Sequence, residues 1–130
     1  MIYETTYSSH QITIEINKIV GEAYSFLDRF KLNGIGSKRM PISSISPEFT
    51  EYLKADHYIT YANIELRPKG IIIHFRYKLE SYCWPMAYDK LVVETEPNLT
   101  LRSKDKFITF KDGLMLNGKF VDKLIHIAQQ

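Results

Sequence analysis

Hydrophobic and polar positions alternate most regularly from Gly70 to Glu80, which predicts a β-strand. Ile71, Ile73, Phe75, Tyr77 and Leu79 fall on one face, and Ile72, His74, Arg76, Lys78 and Glu80 on the other. The second face is polar apart from Ile72 and is expected to be wet. Tyr58 to Leu66 alternates more loosely and reaches this strand through the turn signal Arg67-Pro68-Lys69-Gly70. Beyond it, Tyr82, Trp84 and Met86 form a third pleated face interrupted by Pro85, which suits an edge or a bulge. Leu91 to Glu94 reads as a short strand, and Leu99 to Arg102 with Phe107 to Phe110 as a hairpin. Asp112-Gly113 makes the last turn and Asn117 can cap a terminal helix. Phe120, Val121, Leu124, Ile127 and Ala128 share one stripe of that helix, which is expected to lie on the sheet.

The N-terminal half is less regular. Ile12, Ile14 and Ile16 alternate with Thr13, Glu15 and Asn17, which predicts a half-buried strand over Gln11 to Asn17. Ala23, Phe26, Leu27 and Phe30 stand at helical spacing and predict a short amphipathic helix. Leu32 to Ser46 reads as loop, punctuated by Asn33-Gly34, Gly36-Ser37 and Met40-Pro41. Ser46-Pro47-Glu48 is a helix start, with Ser46 as cap and with Phe49, Tyr52 and Leu53 on the apolar side.

These elements predict one domain, residues 1–130, of the α+β class. Its core is a strongly bent antiparallel sheet or partial barrel with a C-terminal packing helix. An aromatic content of 13% supports sheet, because such side chains suit pleated, half-buried surfaces. The balance of 17 basic and 15 acidic residues is too even to point to nucleic acid. With Cys83 the single cysteine, no intrachain disulfide and no cysteine-based zinc site can form. The opening Met1 to His10 has no basic start followed by an apolar run, and no window approaches the ~20 apolar residues of a membrane span. The expectation is a cytoplasmic protein.

Candidate chemistry is sparse. His10, His57, His74 and His126 are scattered, without the spacing of a metal pair on one helix. His74 reads as a solvated or interstrand histidine, or as a ligand or base assembled by folding. Asn33 to Lys38 has the wrong spacing for a phosphate-cradling loop, but its basic tip, Lys38-Arg39, is the best electrostatic candidate for an anion such as a lipid headgroup. Cys83 has no adjacent base or cation to activate it and reads as a buried structural thiol. Glu94 and Glu96 beside Pro97 read as a turn flank. Tyr82 to Tyr88 reads either as packing at a bend or as an exposed aromatic anchor. No motif calls for a cofactor or a metal.

From Ile64 onward, the Gly70-Ile71-Ile72-Ile73 strand is followed by a Trp84-Pro85 strand entering Tyr88 to Val92. With the Leu99 to Phe110 hairpin and the Phe120 to Ala128 helix, this order resembles the bacterial pleckstrin-homology-like domains and their GRAM-type relatives. The opening Ile12 to Phe30, read as strand then helix, is similar to the START-type helix-grip fold. Both resemblances imply a curved antiparallel sheet with a helix on it, and binding in preference to catalysis. The first functional expectation is therefore a non-enzymatic binding module for an anionic lipid surface or a protein partner. Lys38, Arg39, Arg102, Lys104 and Lys106 are its anion-facing candidates and Trp84 its apolar anchor. The alternatives are a small-molecule carrier or enzyme with a pocket between sheet and helix, and a self-associating protein that pairs through a strand edge as a homo-oligomer.

Overall fold

The computed structural model describes residues 1–7, 9–53 and 60–129. Expectations at His57 and Tyr58, and at the side chains of Tyr52 and Leu53, lie outside what is described. The strands are β1 (Tyr3–Glu4), β2 (Met40–Ile45), β3 (Tyr61–Leu66), β4 (Gly70–Tyr77), β5 (Glu80–Ala87), β6 (Leu91–Glu94), β7 (Thr100–Ser103) and β8 (Lys106–Phe110). The helices are α1 (His10–Val20), α2 (Phe26–Lys31) and α3 (Gly113–Ala128). The class is α+β, and the described strands form one antiparallel sheet in the order β1-β5-β4-β3-β2-β8-β7-β6, which does not close.

The bend sits in β2. Met40 and Pro41 pair with β3, whereas Ile42, Ser44 and Ile45 pair with β8, with a register irregularity between Ile42 and Ser44. Side chains from both halves therefore meet in one core. Ile64, Ile73, Trp84 and Met86 from one half join Leu99, Leu101, Ile108 and Phe110 from the other. Phe120, Val121 and Leu124 of α3 close it, as the apolar stripe predicts. Asn117 has non-helical φ −135° and ψ 30°, so α3 kinks there, and its first turn begins at Gly113.

Gly70 shows how tightly the layers meet. A Cβ at Gly70 would run into the Met86 carbonyl oxygen and lie 2.7 Å from Val20 Cγ1. Close backbone approach is what a glycine in a strand permits. Pro85 sits opposite Ile72 in β5. The β1 ladder stops at Cys83, so beyond that point β5 is an edge strand, where proline is tolerated.

Several sequence expectations are corrected. Gln11 to Asn17 is part of helix α1. Ile12, Ile16, Ile19 and Val20 satisfy the helical period, and Ser9 Oγ accepts a cap bond from the Ile12 amide at 3.3 Å. The second face of β4 is not wet throughout, because Ile16 and Val20 of α1 bury Ile72 and Cys83. Leu79 is 84% exposed: it sits in the two-residue turn of the β4–β5 hairpin, where Lys78 takes φ 56°. Met40 to Ile45, read as loop, is strand β2. Ser46 does precede the 3-10 segment Pro47–Leu53, its carbonyl accepting from the Phe49 amide at 2.8 Å, but its hydroxyl exchanges hydrogen bonds with the Phe107 backbone instead of capping that segment.

Candidate functional site

Helix α1 covers only one end of the outer sheet face, above Ile72 and Cys83. The other end is open and polar. Antiparallel register places Asn63 beside His74, and Arg76 beside Ser81. With Thr5, Tyr61 and Arg39 these residues line a cleft of about 470 Å³. The Arg39 guanidinium carbon lies 5.0 Å from the centroid of the Tyr61 ring, a cation–π distance that holds the charge on the cleft rim.

Electrostatics favour an anion here. Arg39 and Arg76 are exposed, and among the described residues neither has a carboxylate partner. No carboxylate side chain is among the described residues that line the cleft. Two acids bond residues of the lining: Glu80 accepts from the Tyr82 hydroxyl, and Glu65 is committed to His74 and Arg67. It bonds His74 Nε2 at 2.7 Å and accepts from Arg67 Nε. Arg67 in turn donates to Asn17 Oδ1 at 3.0 Å and to the Gly21 carbonyl at 2.8 Å. Burial pushes the Glu65 carboxyl up, but the bonds from His74 and Arg67 outweigh it and hold the group below its ordinary 4.5. The imidazole is thus oriented from behind.

The segment that delivers Arg39 is strapped along β3. The Leu66 amide donates to the Ile35 carbonyl at 2.8 Å, and the Ser37 amide to the Ile64 carbonyl at 2.9 Å. Ser37 Oγ also accepts from the Ile64 amide at 2.8 Å. Small, hydrogen-bonding residues at Gly36 and Ser37 let this segment continue the sheet as a partial rung. The loop expectation for this stretch is corrected to that extent.

The predicted site residues do not converge on one surface. Lys38 and Arg39 are neighbours in sequence but line different hollows. Lys38 belongs to a groove with Asn33, Met115, Lys119 and Lys123 beside α3. Arg102 is engaged by Glu94 at 3.2 Å and lies 5.1 Å over the Phe107 ring. Lys106 pairs with Glu48 at 3.3 Å and Asp105 at 3.5 Å. Lys104 is exposed in the β7–β8 turn with φ 57°. Trp84 is 2% exposed and packs edge-on to Phe49 at 5.2 Å, so its side chain is core and presents no surface anchor. The residues of the cleft that sequence reasoning passed over include Thr5, Tyr61, Asn63 and Ser81. His74 and Arg76 stood on the predicted polar face, and their even spacing on one strand was the available signal.

Cys83 is buried and free, and burial pushes its thiol up to about 11. Ser81 shares the cleft with His74, but the pair is not hydrogen-bonded. Among the described residues no group of three or more His, Cys, Asp or Glu side chains is placed to hold a metal ion, and no helix is long and apolar enough to cross a membrane. No protein-family model matches this chain, and comparison with curated proteins and with solved structures returns no match.

Proposed function

We propose that this chain is a non-enzymatic binding module that captures an anionic group, phosphate or carboxylate, in the open cleft of the outer sheet face. One observation carries the reading: two guanidiniums with no carboxylate partner among the described residues, Arg39 and Arg76, line one cleft with His74, and no described carboxylate lines it. Guanidinium presents a planar fork of donors that matches phosphate and carboxylate oxygens. Asn63 and Ser81 add neutral donors on the cleft floor.

A binding role is favoured over catalysis because Ser81 and His74, the aliphatic hydroxyl and the imidazole that share the cleft, are not hydrogen-bonded to each other. A surface ligand is favoured over an enclosed one because Leu99, Leu101, Phe110, Phe120 and Leu124 pack between the sheet and α3.

Calorimetric titration with inositol hexakisphosphate and with a polyglutamate peptide at low salt tests the proposal. The expectation is saturable binding that weakens about tenfold in each of R39A and R76A. Equal heats from wild type and the double variant would overturn it.

A further inference from the structure

Helix α2 is built unusually. A helix of six residues is not stable alone in water, and none of its residues is buried. Its three apolar side chains face solvent: Phe26 is 83% exposed, Leu27 68% and Phe30 78%. What holds the turn is polar. Ser25 Oγ accepts from the Asp28 amide at 3.2 Å, and Arg29 Nε donates to the Tyr24 carbonyl at 3.1 Å. Lys123 Nζ, reaching across from α3, donates to the Asn33 and Gly34 carbonyls at 3.3 and 3.0 Å. The fold thus fixes α2 firmly while leaving its apolar side uncovered.

The surroundings indicate what covers it. The Asn33 amide bonds back to the Phe30 carbonyl, and Asn33 opens the groove beside α3. That groove carries Lys38, Lys119 and Lys123 with no carboxylate among its described lining. It also carries Met115, 77% exposed, and Leu116, 38% exposed. On α2 itself Arg29 and Lys31 outnumber Asp28, and Asp28 lies in the first turn, where the helix dipole favours an acid. Protruding Phe and Leu side chains bordered by lysines match an anionic bilayer interface: the apolar groups enter the acyl boundary and the cations meet the headgroups.

We infer that α2 and the adjoining groove form a docking face for an anionic lipid surface, with Phe26, Leu27 and Phe30 as its inserting side chains. This face is separate from the cleft that holds Arg39 and Arg76, and does not depend on it. Interfacial binding of this kind scales with buried apolar area and with attraction to anionic lipid.

Co-sedimentation with phosphatidylcholine vesicles, with and without phosphatidylserine, is the test. Wild type is expected to partition onto the phosphatidylserine vesicles, and F26S/F30S to lose at least about tenfold in partition. K38Q/K119Q is expected to weaken binding and reduce its salt sensitivity. Both phenylalanines are exposed, so their replacement leaves the core intact, which an unchanged melting temperature verifies. No partition of wild type, or equal partition by F26S/F30S, would overturn the inference. A dimer that F26S/F30S converts to monomer in sedimentation velocity would also overturn it, because the face would then belong to a second copy. Loss of partition in R39A/R76A with α2 intact would move lipid contact to the cleft and overturn it too.

Discussion

The side-chain amide of Asn117 grips both sides of residue Lys38. The Lys38 amide donates to Asn117 Oδ1 at 2.8 Å, and Asn117 Nδ2 donates to the Lys38 carbonyl at 3.1 Å. Asn117 is 5% exposed and stands at the kink in α3, so the break in the helix aims its carboxamide at the strap. Arg39, the next residue, is placed on the cleft rim by this clamp. Replacing Asn117 with Ala removes both bonds and strands a part-buried amide, which is expected to cost about 1–3 kcal/mol. Urea unfolding measures the loss, and amide exchange at Lys38 should accelerate with it. An unchanged midpoint would show the clamp to be incidental.

Gly70 is a second point of contact between layers. Any Cβ there meets the Met86 carbonyl and Val20, so Gly70→Ala has to push α1 or β5 outward. Overpacking of this kind costs roughly 1–3 kcal/mol. Thermal unfolding of G70A is expected to show a clear drop in Tm. Wild-type stability would mean that α1 yields freely.

Glu65 sets a pH dependence. Its folded pKa lies below the ordinary 4.5, so its contribution is present in full above 4.5 and is lost as the pH falls through the lower folded value. Urea midpoints followed from neutral pH into the acid range should therefore decline less steeply in E65Q than in wild type. Parallel acid limbs would remove Glu65 as a source of the dependence.

Cys83 reports on burial. With the thiol pushed from 9.0 to about 11, the thiolate fraction at neutral pH falls by about a hundredfold before steric shielding is counted. Iodoacetamide is expected to modify the native protein at least that much more slowly than the urea-unfolded chain. Comparable rates would mean that the β5 edge opens readily.

The C-terminal half of the fold was legible because its signals are short-range. The Ile71 to Phe75 alternation, the Arg67 to Gly70 turn and the stripe at Phe120, Val121 and Leu124 each specify an element without help from distant residues. The N-terminal half was not, for two physical reasons. In α1 the isoleucines at 12, 14 and 16 fit a two-residue period, while Ile12, Ile16, Ile19 and Val20 fit a helix, and contact with Ile72 and Cys83 decides between them. In β2 the irregularity between Ile42 and Ser44 breaks the alternation, so that Met40, Ile42 and Ile45 are all buried without a regular period. The cleft was half legible. His74 and Arg76 were placed on a polar face, but their meeting with Arg39 depends on strap and strand register that no local pattern encodes.

Capture of anions on the open half of the outer sheet face is tested most directly by amide chemical-shift mapping during a titration with pyrophosphate at low salt. The shifts are predicted to concentrate at Arg39, Tyr61, Asn63, His74, Arg76 and Ser81, and to vanish in R39A/R76A. Shifts centred on the β7–β8 turn around Lys104, or no saturable shifts at all, would contradict the account.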